Sequence, residues 1–378
     1  MSEHTLILTA SYGEGHNTAA KGLKTAIEGR PGKSATIHDP FPQSFGERYR
    51  SSREDYLNIV NNFPLLWSGI YQLVDALPVG FAAPTLLERM THQLAATIRE
   101  QRPDCILSVY PLYPYLLPDA LRIAHAPTIP ILTVITDSIT INSIWYRRRT
   151  DGFIVPNPQS ANVLRNAGVP EHLILDKGFP VSPRFHSEPL VRPDPNGQER
   201  LKVLFMINGN RERSKVIASQ LLQRENISTT VTVGHDTDLG DELSRCIPTT
   251  RKDNHILGWV SDIPTLLREH HLLIGKAGGA TVQESLAAVT PMLITQIFPG
   301  QEEGNARLLL ENGCGVFAER DADIVRTIDS LCADSFRRWH LMRDACLKLS
   351  RPDASLRIAD LVGTIITDAR RCALTSAA

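Results

Sequence analysis

The feature that most constrains the fold is a repeated alternation of short apolar runs with segments of helical spacing. Apolar runs lie at 5–10, 105–109 and 129–135, and each is followed by a stretch compatible with a helix. The alternation stops and then restarts at 201–207. Short apolar runs bounded by turn residues indicate buried strands, and strands that alternate with helices form parallel sheets with helices on both faces. The sequence therefore predicts an α/β protein built from doubly wound sheets.

The interruption in this alternation predicts a boundary between two domains. Residues 180–200 contain five prolines and many charged side chains, a composition typical of interdomain linkers. The length of 378 residues also exceeds one ordinary domain. We expect an N-terminal domain at 1–184, a linker at 185–200 and a C-terminal domain at 201–354, with a final helix at 355–372 packed back on the first domain. Two Rossmann-like domains facing across a cleft would bind ligands there, because such sheets bind them at the carboxyl ends of their strands.

Charge and cysteine content exclude several classes of function. The 40 basic and 41 acidic side chains nearly cancel, whereas a nucleic-acid-binding protein needs a clustered basic excess. The six cysteines are far apart, without a Cys-x-x-Cys pair, so neither a disulfide framework nor a zinc site is indicated. The sequence shows neither a signal peptide nor an apolar run long enough to span a membrane. We therefore expect a cytoplasmic protein that does not bind nucleic acid.

A glycine-rich loop at 275–279 separates a predicted strand from a predicted helix. The strand is the apolar run 272–274, and Thr281 is expected to cap the helix, whose first turn carries Glu284. Free backbone N–H groups and the positive end of a helix dipole would meet at this loop, and that combination binds phosphate. The alternative is that the glycines only form a tight connection.

A polar turn at 299–305 follows the next predicted strand. It carries Gln301, Glu302 and Asn305, whose donors and acceptors suit a hydroxyl-rich group such as a sugar.

A second glycine loop follows the first predicted strand. Gly13 and Gly15 resemble the start of the dinucleotide-binding pattern, and Asp39 ends the next strand where a ribose-binding acid belongs. The third glycine of that pattern is absent, because Thr18 occupies its position. The loop therefore indicates a ligand site and leaves a dinucleotide-dependent enzyme open as an alternative.

Two titratable residues lie where a catalytic base would be expected. His16 stands at the start of a helix for which Asn17 is the expected cap, and a helix N-terminus keeps an imidazole neutral, as a general base must be. Asp137 closes the strand 129–135, so its carboxylate is expected at a strand's carboxyl end. The alternatives are a polar turn residue for His16 and a helix cap for Asp137.

Two acidic pairs imitate the Asp-x-Asp metal motif of some glycosyltransferases. They are Asp236 with Asp238 and Asp321 with Asp323. Each lies in a charged, turn-like stretch, so we expect solvated turns and no catalytic metal at either pair.

Five segments in a fixed order indicate a family. They are SYGEGHNTAA at 11–20, VITDSITINSIWY at 134–146, KGFPVSPRF at 177–185, LGWVSDIPTLL at 257–267, and the glycine loop with its polar turn at 275–305. This order resembles that of the processive diacylglycerol glucosyltransferases and monogalactosyldiacylglycerol synthases, relatives of the peptidoglycan N-acetylglucosaminyltransferase with the GT-B fold. The resemblance covers nearly the whole chain. It implies an inverting, metal-independent glycosyltransferase that uses a UDP-sugar as donor substrate and needs no cofactor.

The resemblance also implies a role for individual residues. Donor-binding roles fall on the following groups: Glu284 for the ribose; Gly278, Gly279, Ala280 and Thr281 for the diphosphate; Gln301 and Glu302 for the hexose; Gly258, Trp259 and Val260 for the uracil; and Gly209 and Asn305 beside them. His16 and Asp137 match positions implicated in acceptor activation. The residues that would line the acceptor site are Tyr12, Gly13, Gly15 and Trp145.

The acceptor is the least defined part of the resemblance. Where the family commonly has a histidine shortly before the position of Trp145, this chain has Ile141-Asn142-Ser143, and the lysine-rich pattern of the membrane-docking synthases is missing from 55–90. The acceptor could be diacylglycerol, another lipid or a soluble hydroxyl compound. If the protein contacts a membrane, we expect peripheral contact at the inner face; the alternative is a helix packed on its own domain. The residues expected to make that contact are Phe63, Leu65, Leu66, Trp67 and Tyr71.

Two other functions stay open from the sequence. One is an NAD(P)-dependent oxidoreductase that uses the first glycine loop and Asp39. The other is a nucleotide-sugar-binding protein without catalysis. The identity of the hexose, the number of sugars added and the choice of His16 or Asp137 as the base also stay open.

Overall fold

The computed structural model describes residues 3–11, 13–46, 49, 84–189, 192, 194–195, 200–300 and 302–376. The predictions for Tyr12, for Gln301 and for the aromatic cluster at 63–71 fall outside these residues. The chain divides into two compact units. The first unit comprises Met1–Pro183, Pro299–Gly304 and Pro352–Ala378, and the second comprises Arg184–Phe298 and Asn305–Arg351.

The first unit contains a parallel sheet of six strands with the order β2-β1-β3-β4-β5-β6. The strands are β1 (Glu3–Leu8), β2 (Lys33–His38), β3 (Cys105–Ser108), β4 (Ile131–Val134), β5 (Gly152–Val155) and β6 (Ile174–Asp176). Leu6, Ile7 and Leu8 of β1 are all fully buried, as expected when helices cover both faces of a parallel sheet. The strand order reverses between β1 and β3, so the loops after these two strands form the crevice in which such a sheet binds ligands.

The helices of the first unit connect these strands and cover the sheet. Those that precede residue 184 in the described part of the chain are α1 (Glu14–Glu28), α2 (Phe41–Phe45), α3 (Pro84–Gln101), α4 (Tyr113–Ala124) and α5 (Pro158–Asn166). One core cluster joins Leu6 and Leu8 of β1 to Leu94 of α3. A second cluster contains Phe153 of β5 together with Leu164 of α5.

The second unit contains a parallel sheet with the order β12-β11-β10-β7-β8-β9. The strands are β7 (Leu201–Met206), β8 (Ile227–Thr232), β9 (His255–Leu257), β10 (Leu272–Lys276), β11 (Met292–Gln296) and β12 (Gly315–Phe317). This is the strand order of the dinucleotide-binding Rossmann sheet. It reverses between β7 and β10, which places the expected binding crevice at the loops after these two strands.

The helices of the second unit pack around a core that includes Val203 and Phe205 of β7 and the fully buried Trp339. Those in the described part of the chain are α6 (Arg184–Ser187), α7 (Arg211–Leu222), α8 (Thr237–Ser244), α9 (Ile263–Glu269), α10 (Gly279–Ala287), α11 (Glu303–Glu311), α12 (Asp321–Cys332) and α13 (Arg337–Leu349).

Two arginines near the predicted linker pack on the second unit. Arg184 donates to Asp262 at 2.7 Å, and the buried Arg192 donates to the carbonyls of Arg268 at 3.0 Å and Val289 at 2.9 Å. These carbonyls lie at or just past the carboxyl ends of α9 and α10, where backbone acceptors lack helical partners and favour a cation. Arg192 therefore stabilises the far end of the helix that follows the glycine loop.

The last helix, α14 (Ala354–Ser376), returns the chain to the first unit. It packs against α1, and Arg30, just after that helix, donates to Asp360 at 2.7 Å. Arg370 donates to Asp104, just before β3, at 2.7 Å. Ion pairs near both ends of α14 therefore attach it to the first sheet and its first helix.

Candidate functional site

The loop after β1 leads directly into the first turn of α1. The helix begins just after Gly13, whose extended backbone makes it the cap, so the prediction of Asn17 as the cap is wrong. The Asn17 side chain instead accepts from the Thr9 hydroxyl at 3.1 Å. Because Asn17 is engaged with the end of β1, the cap lies four residues earlier than predicted, and both Gly15 and His16 lie in the first turn.

His16 is held among three side chains of the first unit. Its Nδ1 lies 3.1 Å from the Thr136 hydroxyl oxygen, its ring meets Tyr110 edge-on at 5.2 Å between centroids, and the Trp145 ring centroid lies 6.0 Å away. Burial lowers the pKa of His16 to about 4, although a hydrogen bond with the Val109 backbone acts in the opposite direction. The imidazole is therefore neutral near pH 7, the form that can accept a proton.

Asp137 follows β4 and is fixed by the indole of Trp145. The Trp145 Nε1 donates to the Asp137 carboxylate at 2.7 Å. Burial raises the pKa of Asp137 to about 6, and the hydrogen bond from Trp145 partly offsets that rise. Trp145 is 2% exposed and contacts both residues predicted to be catalytic. The structure thus brings His16, Asp137 and Trp145 together.

Backbone strain marks the turn after β4. Ile139 has a φ of +63°, an unfavourable conformation for a β-branched residue that is found mostly at functional sites. The Ser160 hydroxyl accepts from the Ile139 N–H at 3.1 Å, and the Thr140 hydroxyl donates to the Gly300 carbonyl at 2.9 Å. Gly304 donates its N–H to the same hydroxyl at 2.9 Å. The strained turn is therefore held from two sides.

The contact between the turn after β4 and Gly304 depends on glycine. A Cβ on Gly304 would lie 1.8 Å from the Ser138 carbonyl oxygen, so only glycine allows the approach. Glu302, predicted to contact the donor hexose, belongs to the turn at 299–304 and is 2% exposed.

Asp39, the acid of the dinucleotide alternative, has both carboxylate oxygens occupied. One oxygen accepts from the Ser11 N–H at 2.9 Å and the other from the Phe41 N–H at 3.0 Å. These two bonds fasten the loop after β1 to the end of β2. A carboxylate that already accepts two backbone N–H groups has a structural explanation without a ribose.

In the second unit, the helix after the glycine loop begins earlier than predicted. Helix α10 starts at Gly279, and its cap is Gly278 in an extended conformation, a residue that has no side chain to accept from the first N–H groups. The prediction of Thr281 as the cap is wrong, because glycine itself adopts the cap conformation and Thr281 becomes the third residue of the helix. The first N–H groups of a helix lack helical acceptors. At α10 these groups belong to Gly279, Ala280 and Thr281.

Glu284 lies in the second turn of α10, one turn later than predicted. It is 8% exposed, and within the described residues no hydrogen bond or ion pair is found for its carboxyl group. Burial raises its pKa to about 8. A buried carboxyl group without a partner is costly and is a feature of functional sites.

Two further residues predicted to bind the donor lie beside the glycine loop. Asn305, which is 2% exposed, donates to the Ala277 carbonyl at 3.2 Å. The Ala277 N–H in turn donates to the Gln296 carbonyl at 3.2 Å, and a Cβ on Gly209 would lie 2.3 Å from the Gln296 side-chain oxygen. The loops after β7, β10 and β11 therefore meet at one end of the sheet. This is the end at which its strand order predicts a ligand.

The predicted uracil contacts follow β9. Gly258 and Trp259 are exposed and Val260 is half-buried. The Trp259 indole stacks on His235, a residue that the sequence reasoning did not select.

Four further residues belong to the site without having been predicted from the sequence: Thr136, Tyr110, Thr140 and Ser160. Thr136 directly precedes Asp137, and this adjacency could have identified it as a site residue. Thr140 lies three residues after Asp137, in the same segment. Tyr110 and Ser160 reach the site from other segments of the chain, so no local pattern points to them.

Arginines pair with three of the four aspartates in the Asp-x-Asp motifs. In the described part of the chain, no three His, Cys, Asp or Glu side chains are grouped so that they could hold a metal ion. The pairs are Asp236 with Arg211 at 2.8 Å, Asp321 with Arg213 at 3.1 Å, and Asp323 with Arg320 and Arg326.

Among the helices of the described residues, none is both long enough and apolar enough to cross a bilayer.

Comparison with known proteins agrees with this architecture. Residues 16–181 match the family described as monogalactosyldiacylglycerol (MGDG) synthase. The chain is 25% identical over 368 residues to the processive diacylglycerol beta-glucosyltransferase of Bacillus cytotoxicus, covering 94% of this chain and 92% of that protein. The corresponding protein of Bacillus cereus is 24% identical over 369 residues, with the same coverage.

Solved structures share the fold over nearly the whole chain. MurG of Acinetobacter baumannii superposes with a TM-score of 0.61 at 14% identity, covering 96% of this chain and 99% of that one. The UDP-GlcNAc 2-epimerase of Neisseria meningitidis, solved with bound UDP-GlcNAc, gives a TM-score of 0.60 at 13% identity, with 95% and 99% covered. The predicted resemblance and the predicted fold class, two doubly wound Rossmann-like units of the GT-B type, are confirmed.

Proposed function

We propose that this glycosyltransferase moves a hexose from a UDP-sugar to an acceptor hydroxyl, with inversion at the anomeric carbon and without a metal ion. The observation that carries the proposal is Glu284. Its buried carboxyl group, which has no partner among the described residues, follows a helix N-terminus whose cap residue is a glycine. A ribose supplies two hydroxyl donors for such a carboxylate, and a diphosphate supplies acceptors for the free N–H groups. A nucleoside diphosphate fits both requirements.

The diphosphate is the leaving group, and α10 stabilises its charge. The N–H groups of Gly279, Ala280 and Thr281 and the helix dipole form a fixed positive environment. Such groups need no reorganisation when the sugar–phosphate bond breaks and negative charge collects on the departing oxygen. Glu302 and Gln301 would hold the hexose hydroxyls. No step of this mechanism is assigned to a metal ion.

The acceptor is activated by the residues gathered around Trp145. Neutral His16 takes the proton from the acceptor hydroxyl, and the oxygen attacks the anomeric carbon as the bond to the diphosphate breaks and its electron pair leaves with UDP. The imidazolium that forms is stabilised by the Asp137 carboxylate, while Thr136 and Tyr110 hold the ring. One displacement of this kind inverts the anomeric configuration.

We further propose a lipid acceptor, diacylglycerol in the first instance, and peripheral contact with a membrane. Support comes from the diacylglycerol glucosyltransferases that align with 94% of the chain. The aromatic cluster proposed for that contact, Phe63, Leu65, Leu66, Trp67 and Tyr71, lies outside the described residues.

The test is an acceptor screen with radiolabelled UDP-glucose, UDP-galactose and UDP-N-acetylglucosamine. Diacylglycerol in mixed micelles and soluble alcohols serve as acceptors, and the product anomer is read by NMR. We expect transfer to a lipid hydroxyl from one donor and a β-linkage from the α-linked donor. A product with retained configuration would contradict the single displacement. UDP binding without transfer to any acceptor would favour a non-catalytic binding protein, and binding of NAD instead of UDP would restore the oxidoreductase alternative.

A further inference from the structure

An exposed pair of aromatic rings lies at the end of the second sheet. His235 and Trp259 stack almost parallel, with 4.6 Å between ring centroids and 9° between planes. Trp259 is 55% exposed, whereas the other described tryptophans, Trp145 and Trp339, are 2% and 0% exposed. Core packing therefore does not hold this indole, which the structure instead shows stacked on the His235 ring.

The backbone on the histidine side of the stack is held tightly. Gly234, the second residue after β8, has a φ of +61°, a conformation that glycine adopts without strain. On the other side of His235, Asp236 caps α8 and is itself paired with Arg211. His235 thus lies between a glycine turn and an anchored helix cap, which limits the directions its ring can take.

The tryptophan side is fixed in a similar way. The Val233 N–H donates to the Leu257 carbonyl at 2.9 Å, which keeps the ends of β8 and β9 in register. A Cβ on Gly258 would lie 3.6 Å from the Gly234 carbonyl oxygen, so the two loops run in contact. Both rings therefore belong to adjoining loops at the carboxyl ends of neighbouring strands, the side on which such a sheet binds ligands.

We propose that His235 is a positioning residue for the nucleobase of the donor: it holds the Trp259 indole by one face so that the other face receives the base. The inference rests on the proposed UDP-sugar donor. A nucleobase is a flat π system that stacks on an aromatic face. An indole without a support would have to be ordered during binding, whereas the stacked indole is already ordered. His235 acts through Trp259 and does not itself touch the base.

The test compares His235→Ala with His235→Phe by calorimetry, using UDP and inorganic pyrophosphate as probes. We expect His235→Ala to weaken UDP binding about 3- to 10-fold, the usual effect of ordering one side chain. Pyrophosphate, which lacks the base, should bind all three proteins alike. His235→Phe should restore UDP binding to within about twofold, because the flat ring is what supports the indole. Phe317→Ala, at an aromatic residue that is 40% exposed on β12, is the matched control and should bind UDP as the unmodified protein does.

Three outcomes would overturn the inference. UDP affinity of His235→Ala within about twofold of the unmodified protein would show that the indole needs no support. Equal weakening of UDP and pyrophosphate would indicate a general structural effect, as would failure of His235→Phe to restore binding. If the unmodified protein binds no UDP, the donor assignment itself fails, a result distinct from the other three.

Discussion

The two halves of the proposed mechanism differ in how their titratable groups are accommodated. In the first unit, His16 lies against Thr136 and Tyr110, and Asp137 accepts a hydrogen bond from an indole. In the second unit, Glu284 is buried without such a partner among the described residues. Burial is the largest cause of the pKa shift in all three. We infer that the protein itself positions the catalytic groups, whereas a ligand completes the donor carboxylate.

Removing the imidazole that we propose as the general base should have the largest effect. We expect His16→Ala to lower kcat by about 10²- to 10⁴-fold, the usual contribution of a general base, with UDP affinity unchanged. Steady-state kinetics and calorimetry provide the two measurements. If His16→Ala stays within a few-fold while Asp137→Asn is inactive, the base is Asp137, and the transfer reaction itself remains as proposed. A lowered melting temperature with normal activity would indicate a structural role for His16.

Removing the Glu284 carboxylate, which we propose to bind the ribose, should instead weaken UDP binding. Glu284→Ala should weaken UDP binding by about 1.5 to 3 kcal/mol, the range for hydrogen bonds to a charged group. This corresponds to about 10- to 150-fold in Kd. The melting temperature without ligand should not fall, because no described residue would lose a hydrogen bond to this carboxyl group. Calorimetry and thermal unfolding check both statements, and unchanged UDP affinity would remove Glu284 from the donor site.

The fall in rate at acidic pH should reflect protonation of the Asp137 carboxylate. With a pKa raised to about 6, its carboxylate gains a proton as the pH falls below that value, and kcat/KM should then drop by about tenfold per pH unit. In Asp137→Asn, the residual activity should fall only near pH 4, where His16 gains a proton. Enzyme held at about pH 5 and assayed at about pH 7 controls for unfolding. If the rate of the unmodified enzyme falls only near about pH 4, where His16 gains a proton, the reaction does not need the Asp137 carboxylate.

UDP binding should release a proton from Glu284. In the proposed complex, ribose hydroxyls donate to the ionised carboxylate and lower its pKa from about 8. At pH 7 the carboxyl group is mostly protonated in the free protein, so it would lose this proton when UDP binds. UDP affinity should therefore rise with pH by up to about tenfold per unit and level off above about pH 8. Calorimetry in buffers of different ionisation enthalpy counts the protons. Glu284→Gln is the matched control, since only the release due to UDP itself should remain.

Chelation should have the smallest effect. The proposed leaving-group site consists of backbone N–H groups, and the candidate acidic pairs are engaged by arginines at Asp236, Asp321 and Asp323. We expect EDTA to leave the transfer rate unchanged within error. Loss of activity in EDTA followed by recovery on adding manganese would contradict the metal-free mechanism.

Local sequence pattern determined the elements and their order. Apolar runs placed β1, β3, β4 and β7, because a strand buried on both faces needs consecutive apolar side chains. The run expected at 272–274 corresponds to β10 (Leu272–Lys276), and the helix expected at 355–372 corresponds to α14 (Ala354–Ser376). Glycines at the ends of two strands marked the loops near which His16 and Glu284 are found, since a sharp strand-to-helix turn is encoded by nearby residues.

Tertiary structure decided what the side chains at those loops do. The caps were misassigned because Asn17 bonds the end of β1 and because Gly278 serves as a cap without any side chain. His16 and Thr136 are 120 positions apart in the chain, and no local pattern specifies such a contact. The isolation of the Glu284 carboxyl group among the described residues depends likewise on which segments the second sheet brings together. Burial and long-range pairing set the pKa of each group, so its chemistry emerges only once the chain has folded.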